Sequence, residues 1–199
     1  MLRDIIQLVT LILNDKKPDY VLTAENLNRV LDLVNRKIFK GKLEQPEANG
    51  RKQDELSKFL CVMGNGSQPL VFVNGIAFKP LNHFYTLAIN DAATGFKVEM
   101  VSELQWNERT GNAITKPTLR DPIVRDLGDR FQIAPPIVQY CNFVHYRLPD
   151  TPVYNPNGTD IEFEYDKLTE LEVIPLILNE IGFSIPNAEL IAYTQKEAK

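Results

Sequence analysis

Two histidines, two cysteines and one row of alternating acids are the residues in this chain best suited to chemistry. Histidine is the usual acid–base group near neutral pH. His145 lies between Val144 and Tyr146 in a run with strand character, and His83 stands at the entrance to another. Neither belongs to an HxH, HxxxH or HExxH pattern, the spacings that bring two imidazoles to one metal. Both therefore read as structural or surface residues, and no zinc site is expected. Cys61 and Cys141 are far apart, with no further ligand types at metal spacing around them. They read as reduced, small, buried hydrophobes. The acidic row is Asp160, Glu162, Glu164 and Asp166. On a strand, residues i and i+2 share a face, so Asp160, Glu162 and Glu164 would line up. Such a row could supply a glycosidase-like acid and base or hold a hard cation. No calcium-loop spacing accompanies it. The simpler reading is a solvated edge strand protected by charge, on which Glu162→Ala is nearly neutral for stability.

Other chemistry-bearing patterns are missing. A hydrolase elbow needs GxSxG, a phosphate loop GxxxxGK[ST] and a dinucleotide turn GxGxxG. Gly64-Asn65-Gly66 and Gly128 fit none of these. No catalytic residue and no cofactor is expected. Basic residues gather twice, as Arg36, Lys37, Lys40, Lys42, Arg51 and Lys52, and as Arg109, Lys116, Arg120, Arg125 and Arg130. Neither cluster is interleaved with aromatics as single-strand binders require. A solvated face or ion pairs between subunits is the favoured meaning, ahead of phosphate contact. Trp106 sits among polar neighbours on a short helical run, where it could anchor an interface. Trp106, Arg109, Arg120, Arg36 and Lys40 are thus the interface candidates.

The elements that would position these residues follow from periodicity. Leu2, Ile5, Ile6, Val9, Ile12 and Leu13 fall at helical spacing, ending at Asn14-Asp15 before Pro18. Thr23 can cap a second helix bearing Leu27, Val30, Leu31, Val34 and Ile38, ended by Gly41. Together they predict a helical hairpin. Gly41 to Gly50 reads as a mobile loop, and Arg51 to Val62 as a third helix. From Pro69 the period changes to two. Leu70–Val73 precedes the hairpin signal Asn74-Gly75, and Phe84–Asn90 and Phe96–Val101 read as strands. Ser102 can cap a short helix from Glu103 to Arg109. Pro122 to Tyr146 reads as a meander: a strand, a turn at Leu127-Gly128-Asp129, the strand Arg130–Ala134, a Pro135-Pro136 turn, and the strand Val138–Tyr146. On that last strand, Cys141, Phe143 and His145 share one face, and Tyr140, Asn142, Val144 and Tyr146 the other. Ile161–Tyr165 reads as the acidic edge strand. Thr169 to Glu172 matches a capping box opening a C-terminal helix that contains Pro175, and Asn187 can cap a last short helix through Tyr193.

These elements predict an α+β fold: an N-terminal helical hairpin and helices, a central antiparallel β-meander or sheet, and a C-terminal helix. At 199 residues one domain is the default, with a helical part (1–62), a β-rich part (69–165) and C-terminal helices (169–193). An apolar fraction of 44% is enough for a core, and a net charge of −4 argues against a dedicated nucleic-acid binder. The apolar run Leu2–Leu13 is broken by Asp4, Gln7 and Thr10 and is too short to span a bilayer. It also lacks the charged start and cleavage site of a signal peptide. The protein reads as soluble and without membrane contact.

The stretch Gly128-Asp129, Phe131 to Pro136, Tyr146-Arg147-Leu148-Pro149 and then Glu162 to Ile181 resembles the meander of tailed-phage neck proteins. Glu103 to Arg109, followed by Ile114 to Pro122, is similar to virion proteins of crAss-like phages. The N-terminal hairpin, with Asn35 late in its second helix, resembles the opening of head-to-tail adaptor proteins. The resemblance is one of pattern and covers Met1 to Gly182, with Pro175 as a departure. It implies a structural virion protein, assembled in the host cytoplasm. Its place would be a homo-oligomeric neck ring of about twelve copies, where a heterologous contact closes on itself. The implied partners are the portal protein and other neck and tail proteins. DNA would pass close by in the channel without sequence-specific binding. The family has no catalytic residues to carry over. A tail or baseplate accessory binding module is the alternative.

Overall fold

The computed structural model describes residues 1–44, 56–64, 67–165, 170–184, 186 and 193. The fold is α+β, and the chain divides into two compact units: residues 1–58 with 149–199, and residues 59–148. The boundaries expected from sequence, 1–62, 69–165 and 169–193, are thus redrawn. Residues 59–62 join the β-rich unit, and residues 149–165 join the helical one.

The helical unit contains α1 (Leu2–Lys16) and α2 (Ala24–Glu44). Leu2, Ile5, Val9 and Ile12 of α1 are buried, as are Leu27, Leu31, Val34 and Phe39 of α2. Gly41 does not end α2, which runs three residues further to Glu44; residues 45–50 of the expected loop lie outside the described residues.

The β-rich unit holds β1 (Leu60–Met63), β2 (Leu70–Val71), β3 (Ile76–Phe78), β4 (His83–Asp91) and β5 (Glu99–Met100). After α3 (Glu103–Gly111) come β6 (Ile123–Asp126), β7 (Arg130–Ala134) and β8 (Tyr140–Arg147). The C-terminal helix α4 (Glu170–Glu180) belongs to the helical unit, contains Pro175, and packs against both α1 and α2. The expected cap at Thr169 and the last short helix from Asn187 lie outside the described residues, apart from Tyr193.

In one sheet, β8 is central, with β4 on one side and β1 and β2 sharing the other, all antiparallel. The second sheet has the order β3-β7-β6-β5, with β5 and β6 parallel. Leu70, Ile89, Cys141 and Phe143 from the first sheet meet Ala77, Val124, Phe131 and Ile133 from the second in one buried cluster. Burying both inner faces together makes the unit a sandwich.

Several expectations are corrected here. Of the expected third helix, residues 51–55 lie outside the described residues and Leu56 and Ser57 are helical, but its end, Leu60 to Val62, belongs to β1, whose Leu60↔Tyr146 and Val62↔Val144 pairing with β8 outweighs the local helical spacing. The meander is not continuous. β6 and β7 pair about Gly128, but after Pro135-Pro136 the chain crosses to the other sheet, so β7 and β8 are not partners. The hairpin turn expected at Asn74-Gly75 does form: both residues take positive φ, and Val73 and Ile76 exchange backbone hydrogen bonds at 2.8 and 3.0 Å, although the flanking β2 and β3 then belong to different sheets. Strict alternation in β4 is interrupted by shifts between His83 and Tyr85 and between Thr86 and Ala88. The expected Phe96–Val101 strand is reduced to Glu99–Met100. The acidic edge strand is absent: only the isolated bridge Val153↔Ile161 forms.

Candidate functional site

The residues singled out as interface candidates divide between the units. Trp106 lies on α3, where Ser102 and Gln105 form a capping box. Its indole is only 7% exposed, packed with Val101 and Ile123, and the Arg125 guanidinium lies 4.8 Å from its ring. It serves as a local core residue rather than an exposed anchor. Arg109 bridges Glu99, at 2.7 Å, and Asp121. Arg120 is exposed in the turn closed by Thr118 and Asp121, and makes no ion pair among the described residues. Arg36 and Lys40 are exposed one turn apart on α2, and pair with Asp32 and Glu44 within the helix. Arg125 pairs with Glu103, and Arg130 with Asp129. Among the described residues, most of these arginines are therefore neutralised locally.

The acidic row has a different role from an edge strand. Asp160 accepts from the backbone N–H of Asn155 at 2.8 Å and from Arg3 Nε at 3.1 Å. These bonds, the backbone one foremost, hold its carboxyl below the usual range. Glu162 accepts the N–H of Leu2 at 2.7 Å, and Glu164 that of Asp150 at 2.6 Å. Three carboxylates that alternate in sequence thus each satisfy a separate backbone donor. Glu162 in effect caps α1, whose first residue offers no side-chain cap.

The histidines come together in the sandwich. The His145 ring stacks on Phe143 at 4.6 Å, and His83 lies 5.5 Å from His145. His145 is 1% exposed, and neither ring nitrogen has a partner among the described residues. Burial pushes its pKa down. Burial, then Lys79 and His145, take His83 down to about 4. Both imidazoles are neutral near pH 7 and pack as aromatic rings. Burial, with Asp91 nearby, raises the Cys141 thiol to about 12, which makes it inert. Among the described residues, no group of three or more acids, cysteines and histidines could hold a metal ion.

The outer face of the β1-β8-β2 and β4 sheet has a character that periodicity alone did not show. Register places Leu60 and Val62 of β1 beside Tyr146 and Val144 of β8. It places Tyr85 and Ala88 of β4 on their other side, and Val71 beside Tyr140. The remaining pair on this face is Asn90 with Asn142. None of these positions is charged. Val62, Tyr85 and Tyr140 are 50%, 54% and 52% exposed.

No protein-family model and no curated protein matches this chain.

The functional reading therefore rests on geometry. A solvated antiparallel sheet face normally alternates to polar or charged residues, and exposed strands are commonly guarded by charge. This face is apolar, tyrosine-rich and uncharged, the composition of a buried interface centre. The signal was present in the sequence at Tyr140, Val144 and Tyr146. It became legible only once β1 and β4 were known to flank them. No helix among the described residues is long and apolar enough to cross a membrane.

Proposed function

We propose that this chain is a structural virion protein that builds a ring in the neck of a tailed phage, between portal and tail and around the DNA channel. It works by assembly rather than catalysis. The observation that carries the assembly role is the uncharged outer sheet face, a surface that gains most when another protein covers it. The sequence pattern shared with neck proteins supplies the setting. The locally paired arginines suit a wall past which DNA slides, because cations already held by carboxylates displace few counterions from the DNA phosphates. In this setting the protein assembles in the host cytoplasm and its partners are the portal and other neck and tail proteins.

The test is the protein's stoichiometry and position in purified virions, by quantitative mass spectrometry and electron cryomicroscopy. A ring of about twelve copies at the neck is expected, as a closing heterologous contact produces. One or a few copies per particle would sink the ring. A position in the tail tip would favour an accessory module.

A further inference from the structure

Asp91, the last residue of β4, is the one buried acid among the described residues, at 5% exposure. Its carboxylate accepts from the Ala93 N–H at 3.2 Å and from the Thr94 hydroxyl at 2.5 Å. Both donors are neutral, and Asp91 forms no ion pair among the described residues. Its negative charge is felt inside the sandwich, where it adds to burial in raising the Cys141 thiol. A turn of this kind needs only a short side-chain acceptor, which asparagine supplies without charge. A carboxylate at this depth therefore carries a desolvation cost that the turn does not require and that a cation would offset.

Asp91 also lines an open concavity of about 570 Å³ beyond the end of β4. That volume falls within the roughly 300–1,000 Å³ of small-molecule sites. The remaining lining is mostly apolar and holds no other charged residue. Val138 is buried in its wall, while Leu119, Ile137 and Tyr140 are exposed. Arg120, next to Leu119 in sequence, is exposed and not part of the lining. The Ala92 N–H donates to Tyr140 O at 2.9 Å, which ties the Asp91 turn to the start of β8. Carboxylate and phenol ring thus belong to one braced frame, and the face of such a ring attracts cations.

We infer that this concavity binds a primary alkylammonium ion, with the charged head at Asp91 and the alkyl stem along Leu119 and Ile137 beside the Tyr140 ring. Each carboxylate oxygen already accepts one bond, which leaves one lone pair on each. An ammonium head needs a single such acceptor, whereas the fork of a guanidinium is best matched by a carboxylate with both oxygens free. The apolar wall gives the stem a place that a bare metal ion would not use. Free amines and the lysine side chain of another protein share this chemistry. The inference is independent of the neck reading: it holds or fails for the purified chain, whereas that reading is decided by virion composition.

The experiment is a titration of the isotope-labelled full chain at constant ionic strength, followed by amide NMR. n-Butylammonium chloride should shift the amides of Ala92, Ala93, Thr94 and Tyr140 to saturation. 1-Butanol, with the same stem and no charge, should bind about tenfold more weakly. Asp91→Asn keeps an acceptor for the turn and should erase that preference. Tyr140→Leu keeps an apolar wall and should weaken the amine about two- to fivefold while leaving the alcohol unchanged. Should Asp91→Asn fail to fold, the wild-type comparison of amine with alcohol and the Tyr140→Leu titration decide. Nα-acetyl-lysine methylamide separates the two sources: binding at least as tight as n-butylammonium assigns the site to a lysine side chain, and weaker binding to a free amine. Absence of saturable shifts, equal binding of amine and alcohol, or an amine preference that survives Asp91→Asn would overturn the inference.

Discussion

The helical unit and the sandwich unit satisfy their backbones in different ways. In the sandwich, strands do most of the work: ladder pairs run along nearly all of β8, and the side chains between the sheets are aromatic and aliphatic. In the helical unit, the returning segment 149–165 has no strand and depends on side chains of α2 and the acidic row. Asn28 forms a two-way amide pair with Tyr154, at 2.8 and 3.1 Å. Thr151 Oγ1 donates to Asp32, Asn35 Nδ2 donates to the carbonyls of Pro149 and Asp150, and the Tyr165 hydroxyl donates to Asn35 O. Positions 28, 32 and 35 lie along one helical stripe, so a polar seam replaces a ladder. The lesson is that one unit should be vulnerable to cavities and the other to lost side-chain acceptors and donors.

The largest effect should come from Phe143→Ala. Phe143 is fully buried against Phe131 and both histidines, and its loss should cost about 3–5 kcal/mol in chemical denaturation. A cost below about 1 kcal/mol would break the contrast on the sandwich side, because a collapsed or loosely packed site is then implied. Asn35→Ala should come next, at about 1–3 kcal/mol, because buried carbonyls lose their donor. Hydrogen exchange should speed up in segment 149–154 with little change in β8.

Acid should act on the sandwich first. His83 and His145 have folded pKa values below the ordinary 6.5, so the unfolded chain binds protons first as pH falls. Their contribution is intact above about pH 6.5 and is lost as pH drops toward the folded value of about 4 for His83. The loss should be on the order of 1–2 kcal/mol once screening by nearby water is allowed for. His145→Phe should make the loss of stability below about pH 6.5 less steep, and an unchanged profile would remove His145 from the explanation. Glu162→Ala should cost about 0.5–1 kcal/mol through the lost cap on α1, more than an exposed edge residue would. The smallest effect on stability, within about 0.5 kcal/mol, should come from Val62→Lys on the uncharged outer face. If the proposed neck role holds, the same change should nevertheless reduce incorporation of the protein into particles.

Local signals in the sequence were reliable where local physics decides. The apolar stripes of α1 and α2, the Ser102 cap, the positive-φ turn at Asn74-Gly75 and the two faces of β8 were all readable, because each needs only its neighbours. The errors arose where distant pairing decides. Phe59 and Leu60 keep a helical spacing with Leu56, yet Leu60 belongs to a strand because β8 offers it a ladder. The acidic alternation suited a strand equally well, but its acceptors meet N–H groups at Leu2 and Asp150, one of them 160 positions away. The uncharged sheet face was hidden for the same reason. Its residues come from four separate stretches of chain.

The two ends of the sandwich segment meet: the N–H of Arg147 donates to Phe59 O at 2.9 Å. A stretch of about ninety residues thus leaves and re-enters the helical unit at nearly one point, the topology of an inserted domain. On the ribosome, α1 and α2 must wait for α4 through the whole synthesis of the sandwich, which can close first. Replacing residues 59–148 by a short Gly-Ser bridge should then leave a helical protein that folds alone.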